Sequence, residues 1–332
     1  MTVADPPIPG PHRPVAVLPA RRPGSVRRTS TIDILRPDGL LGAVTIDGRA
    51  RDLLTAADGS AGEAEEQRVT ADVAVERTIT DLRAEPHEPA LAGLVGGSVM
   101  NGFRRAAAAA TPEHVRGATL LNLLLDDLPL AALVGGYSIG HASMYDPVMH
   151  DLMVGHGPIA GIPDTCAGWA EGGQIMTYLN REGLPPVLTG PRIAAATDDA
   201  SAWHERGPLG PHAVRRARLL DVWHEDGAVR AQSYYCDSHT GIDGAETVIH
   251  SYSVDATLDP DGTITHCEAT VHVLPWLECP KAAASAERVV GTNARELRDR
   301  VRRTFTGPST CTHLNDQLRS LEDVPVLAAR LH

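Results

Sequence analysis

The chain of 332 residues holds a single lysine, Lys281, against 29 arginines, and aromatic residues make up only 4% of it, with phenylalanine at Phe103 and Phe305 alone. Chemistry on a lysine amine therefore has one candidate, and because Ala282 follows Lys281 there is no G-K-[ST] phosphate loop. No G-x-G-x-x-G stands between a strand pattern and a helix pattern, which disfavours a nucleotide cofactor. The five cysteines, Cys166, Cys236, Cys267, Cys279 and Cys311, are odd in number and include no C-x-x-C pair, so reduced thiols and a cytoplasmic setting are expected. The stretch from Met1 to Arg28 contains no apolar run of signal-peptide length, and no membrane span is expected. A formal charge of −12 argues against nucleic-acid and anionic-membrane partners. A small-molecule substrate is the expected partner, with a homo-oligomer left open.

What the chain does have is an internal echo. Val26-Arg27-Arg28, Asp33 and Asp38-Gly39 recur as Val214-Arg215-Arg216, Asp221 and Asp226-Gly227 at a constant offset of 188. Thr78-Ile79-Thr80 then matches Thr263-Ile264-Thr265, Leu94-Val95-Gly96 matches Val289-Val290-Gly291, and Asp127-Leu128-Pro129 matches Asp323-Val324-Pro325. The kept order points to a duplication. It divides the chain into a flexible arm (1–24), a first, degenerate repeat (25–134), an insert or lid (135–212) and a second repeat carrying the site (213–332). The insert is richer in glycine and proline than the chain as a whole, which predicts little regular structure. It contains His141, His150, His156, Cys166, Trp169 and Glu171, and Trp169 and Glu171 are the substrate-binding candidates.

In the second repeat the pattern predicts strands near 217–223, 228–238, 247–258 and 263–274, then helices near 281–291, 293–305 and 311–320. Strands followed by helices give an α+β fold: an internally duplicated, pseudo-twofold antiparallel sheet with helices and a long Gly/Pro-rich insert. Residues 248, 250, 252 and 254 alternate toward an apolar face. Closing the turn Asp259-Pro260-Asp261-Gly262 on Leu258 and Thr263 sets Val254 opposite Cys267, Tyr252 opposite Ala269 and His250 opposite Val271. Closing the preceding loop symmetrically sets Tyr235 opposite His250 and Asp237 opposite Val248.

A buried face thus carries Tyr235, Asp237, His239 and His250, and an inward-facing carboxylate or imidazole is normally paired or chemically employed. Asp237, His239 and Tyr235 are the catalytic candidates. In Ser309-Thr310-Cys311-Thr312-His313-Leu314, Cys311 falls in the first turn of a helix, where the dipole favours a thiolate. His250, Cys279, Cys311 and His313 are the metal-ligand candidates, for zinc or iron. Gly136-Tyr137-Ser138-Ile139-Gly140 fits G-x-S-x-G, but that motif needs a strand before it.

Cys311-Thr312-His313-Leu314, with Ile249-His250 and Glu278-Cys279-Pro280 upstream, resembles a bacterial family known as domain of unknown function 2889, over residues 213 to 330. The resemblance implies no activity; it implies that His250, Cys279, Cys311 and His313 occupy the family's motif positions. The functional expectation is a metal-dependent lyase, isomerase or hydrolase acting on a small organic, including aromatic, acid. The alternatives are a metal-free acid/base enzyme using Asp237 and His250, and a binding protein with a structural metal.

Overall fold

The computed structural model describes residues 10–155, 163–185, 187–194 and 197–331. His156 lies outside the described residues. The core is one antiparallel sheet of eight strands: β1 (Ser25–Leu35), β2 (Val44–Thr55), β3 (Ala61–Val73), β4 (Ile79–Glu85), β5 (Val214–Glu225), β6 (Ala228–Thr240), β7 (Glu246–Leu258) and β8 (Ile264–Val273). Their order is β4-β3-β2-β1-β5-β6-β7-β8, two four-stranded meanders joined through their first strands. The fold is therefore mixed α+β.

Nine α-helices occur among the described residues: α1 (Phe103–Ala110), α2 (Pro112–Arg116), α3 (Leu120–Val134), α4 (Tyr137–Tyr145), α5 (Pro147–Gly155), α6 (Gln174–Glu182), α7 (Leu297–Thr304), α8 (Thr312–Ser320) and α9 (Val324–Ala328). The helix expected near 281–291 is a 3-10 helix, Cys279–Val289. Alternation explains the layering, since side chains of one parity share one face of a strand. Ile32, Ile34, Ile46, Val69 and Ala71 pack under α1 and α3. Leu220, Val222, Tyr235, Tyr252 and Val254 join one cluster with Leu297, Val301, Leu314 and Leu318 of α7 and α8. The opposite face of the second meander buries Ala217, Leu219, Tyr234, Cys236 and Val248 against Leu18, Ala202 and Trp203. Residues 10–24 are thus part of the packing, with His12 bridging to Val273 and Arg21 ion-paired to Asp199.

The two central strands are buried on both faces, yet they carry charge. Arg27 forms a bidentate pair with Asp221 (2.7 and 2.6 Å), and Arg215 forms one with Asp33 (both 2.7 Å), so each strand donates to the other. Desolvated guanidiniums are tolerated here because each meets a carboxylate in two parallel bonds.

Two sequence expectations need correction. The segment 135–212 is more regular than its glycine and proline content suggests, since α4, α5 and α6 lie within it. Leu120–Tyr145 is also the one described stretch long and apolar enough to cross a membrane, but 72% of its most apolar window is buried in this fold. The registers are the second correction. Asp237 stands opposite His250, Tyr235 opposite Tyr252 and Val254 opposite Ala269. Each pairing is displaced by two residues, so parity survives while the partners change. One residue of each shift comes from the hairpin closure, which pairs Leu258 with Ile264 and Thr240 with Glu246, and the other from irregularities at Thr257/Leu258 and Asp237/Ser238, the second of which jumps from His250 to Val248 and leaves Ile249 unpaired. That bulge turns Val248 onto the opposite face, against Tyr234 and Cys236.

A candidate metal centre at the wall of an apolar cavity

The site begins with Arg216, on β5 directly opposite Asp237 on β6, which in turn stands opposite His250 on β7. All three face the helices. Arg216 Nε donates to Asp237 Oδ1 (3.1 Å) and its Nη2 to Oδ2 (3.3 Å), while Nη1 reaches Asp316 of α8 (3.3 Å). The Tyr235 hydroxyl donates to Asp237 Oδ2 and accepts from Arg216 Nη2 at 2.8 Å. Burial alone would raise the Asp237 pKa, but the Arg216 guanidinium holds the carboxyl far below the usual range. Asp237 is a fixed anion, clamped from two sides.

The third element arrives from α8. Gly307, in the left-handed region at φ 78°, turns the chain after α7. Cys311 occupies the N-cap position, and Leu314 and Leu318 anchor the helix in the core. This geometry lays the His313 ring on the His250 ring, with centroids 3.8 Å apart and planes 20° from parallel. His250 Nδ1 lies 3.7 Å and His313 Nε2 3.6 Å from the same oxygen, Asp237 Oδ2. Both nitrogens are buried without a hydrogen-bond partner. One donor atom from each of Asp237, His250 and His313 falls within a 4.8 Å cluster. Burial, and then the neighbouring His250, keeps His313 well below the ordinary histidine pKa, so its ring is neutral and able to ligate.

The other such trio among the described residues, Glu88, Glu113 and His114, differs in kind. There His114 is already hydrogen-bonded to Glu88 (3.1 Å) and Thr119 (3.0 Å), a partly exposed ion pair with no nitrogen to spare.

His250 and His313 form part of the wall of a cavity of about 580 Å³, otherwise lined mainly by apolar side chains such as Tyr137, Ile139, Trp169, Leu188, Ile249 and Trp276. The segment 135–212 supplies much of this wall. It is pinned by Ala167 N–H to Thr310 O (2.8 Å) just before α8, and by Val248 N–H to Pro191 O (2.8 Å). At Gly190 a Cβ would come within 1.7 Å of Val248 O, so only glycine allows this approach to β7.

The structure brings together Tyr235, Asp237, His250 and His313. Cys279 and Cys311 line the same cavity, as does Cys166, but they lie outside the ligand cluster. Cys311 Sγ instead faces His313 Nδ1 at 3.7 Å. With no ion beside it, burial works against the helix dipole and pushes the Cys311 thiol up to about 11, and burial raises Cys279 as well. Trp169 lines the cavity, whereas Glu171 is exposed and its N–H is bonded to Asp164 (2.9 Å). His239 lies two residues after Asp237 on β6 but packs with tilted rings against Tyr137 and His141 (5.1 and 4.7 Å between centroids), outside the ligand cluster, and burial lowers it to about 3. Ser138 lies inside a helix with its hydroxyl on His212 O (2.6 Å), so no nucleophile elbow forms. Sequence reasoning missed Arg216, although the repeated Val-Arg-Arg string was a signal for it.

Residues 214–327 match the model of a family described as protein of unknown function (DUF2889). The match runs from β5 into α9, over nearly the same residues as the resemblance to that family, and the matched range includes Asp237, His250, Cys279, Cys311 and His313. No curated protein and no solved structure matches the chain.

Proposed function

We propose that this protein is an enzyme whose reaction centre is a divalent ion, zinc or iron, held by Asp237, His250 and His313. The carrying observation is that two buried ring nitrogens, each without a partner, converge on one clamped carboxylate oxygen. Donor atoms about 2.0–2.1 Å from an ion stand roughly 3.0–3.4 Å from one another at octahedral to tetrahedral angles. The observed 3.6 and 3.7 Å exceed those spacings by a few tenths of an ångström, and because an imidazole lone pair lies in the ring plane, binding one ion requires at least one of the two stacked rings to rotate out of the stack. Two imidazoles and one carboxylate suit zinc or ferrous iron. Arg216 and Tyr235 supply the outer bonds that orient a ligating carboxylate. Asp237 is fully buried, but His250 and His313 line the cavity, so three protein ligands would leave the ion's open coordination on the cavity side, which favours a reactive over a structural ion.

A metal-free acid/base role for Asp237 is disfavoured, since a carboxylate stabilised this strongly by Arg216 is a poor proton acceptor. The ion would act as a Lewis acid toward a small organic acid with an apolar or aromatic body, in a cytoplasmic lyase, isomerase or hydrolase. Substrate would enter between the second meander and the segment 135–212, which serves as a cover.

The chain also reads as a duplicated unit. Arg28, Asp52 and Glu65 stand opposite one another on β1, β2 and β3, as Arg216, Asp237 and His250 do on β5, β6 and β7. In the first half Arg330 fills the space, bonding Asp52 at 2.7 Å and lying 3.5 Å from Glu65. The Arg–Asp pair then belongs to the shared frame, and the histidines are what the second half adds.

Element analysis of protein purified without chelator from metal-replete cells tests the reading. About one zinc or iron per chain is expected, lost in the His250→Leu/His313→Leu double variant. No stoichiometric metal in the wild type would overturn it.

A further inference from the structure

The cavity lining has one feature that the metal cluster does not use. Of the described side chains lining it, only Arg77 carries a permanent charge, and none is acidic. Arg77 lies in the turn between β3 and β4, in the first half of the chain, whereas His250 and His313 belong to the second half. Arg83 on the same hairpin pairs with Asp72 and Asp81, but Arg77 forms no ion pair among the described residues. The arginine-rich groove between α1 and α7 is different again, because Arg104, Arg298 and Arg319 there are each paired with Asp126.

The backbone at Arg77 is a second, independent observation. Its φ is 68°, in the left-handed region. The turn demands this, since Arg77 N–H donates to Ala74 O (2.8 Å), Ala74 N–H to Thr78 O (2.9 Å) and Val99 N–H to Arg77 O (3.0 Å). Glycine or asparagine would fill that position at lower cost, and a long β-carbon-bearing side chain there is strained by roughly 1 kcal/mol. Such strain is a reason to ask what the side chain does, and Arg77 is exposed, so its guanidinium is open to a ligand.

We infer that Arg77 is the anchor for the substrate's carboxylate, so that the substrate is an apolar, aromatic-sized acid lying with its carboxylate at Arg77 and its reacting end toward His250 and His313. The guanidinium fork matches a carboxylate in two parallel bonds. The apolar walls, including Trp169 and Trp276, would cover the body between the two ends. The inference rests on reading this cavity as the substrate site, but its test does not need the metal.

Chelator-treated protein is titrated with naphthalene-2-carboxylate and with its neutral counterpart naphthalene-2-carboxamide, following quenching of tryptophan fluorescence. Wild type should bind the carboxylate about tenfold tighter than the amide. Arg77→Gln should bring the two within about twofold by weakening only the carboxylate, and Arg77→Lys should keep part of the preference. Equal affinities in the wild type, an unchanged preference in Arg77→Gln, or no binding of either probe would each overturn the inference. Failure of the metal reading would show separately, in the element analysis, and leaves this result intact.

Discussion

Replacing His313 with leucine should make the metal-free protein more stable. His313 Nε2 and His250 Nδ1 are buried with no partner, and a buried unsatisfied polar atom costs about 1–3 kcal/mol. Because burial keeps the His313 ring neutral, its removal takes no positive charge away from Asp237, which retains Arg216 and Tyr235. Leucine nearly conserves the volume of the ring. The lost terms are the stack on His250, worth about 0.5–1.5 kcal/mol, and two long contacts of His313 Nδ1, with Cys311 Sγ at 3.7 Å and Thr312 Oγ1 at 3.4 Å, which at those lengths offset little. The balance is a gain of about 1 kcal/mol, or roughly 2 °C in melting temperature for a chain of this size. Urea unfolding in chelator would report it as a higher midpoint with an unchanged slope. With metal added the order should invert, since an ion at a hundred times its Kd stabilises only the wild type, by about 2.7 kcal/mol. A His313→Leu protein less stable than wild type in chelator would make the ring a structural partner of Asp237 and refute the reasoning.

Two further outcomes test the frame around the site. Arg27→Met leaves Asp221 buried without its bidentate partner and should cost about 3–5 kcal/mol, while the Arg27→Met/Asp221→Leu double variant should recover most of that loss in the same denaturation assay. A double variant as damaged as the single would contradict the pairing. His204 is buried between Thr29 (2.9 Å) and Thr31 (2.8 Å), and burial lowers its pKa to about 3 from the ordinary 6.5. The unfolded chain therefore binds a proton that the native state refuses between those values. Stability relative to His204→Asn should be pH-independent above about 6.5 and fall by about 1.4 kcal/mol per unit as pH drops toward 3. A flat difference across that range would show that the ring is not held neutral.

Local rules made the second meander legible. The alternation of residues 248 to 258, the Asp259-Pro260-Asp261-Gly262 turn and the Gly307-Pro308 break located its strands and α8 to within a few residues. The pairing of those strands was not legible, because each hairpin closes one residue off the symmetric turn and an irregularity farther along the ladder, at Ile249 or at Thr265, adds a second. The bulge at Ile249 is what sets His250 opposite Asp237. Cysteines were favoured as ligands beside His313 because spacing along one helix is visible in a sequence, whereas the approach of Asp237 across two strands is not. Arg216 was hidden for the same reason: its partners Asp237 and Asp316 are 21 and 100 residues away.

The central claim is a metal bound by one carboxylate and two imidazoles, with the cavity thiols left as bystanders. Titration of metal-free protein with cobalt(II), read by optical absorption, tests it most directly. The account predicts saturation at one ion per chain with ligand-field bands of a nitrogen and oxygen site, unaltered in Cys311→Ser and Cys279→Ser and abolished in His250→Leu. An intense sulfur-to-cobalt charge-transfer band that disappears in Cys311→Ser would contradict it and return the site to the cysteines.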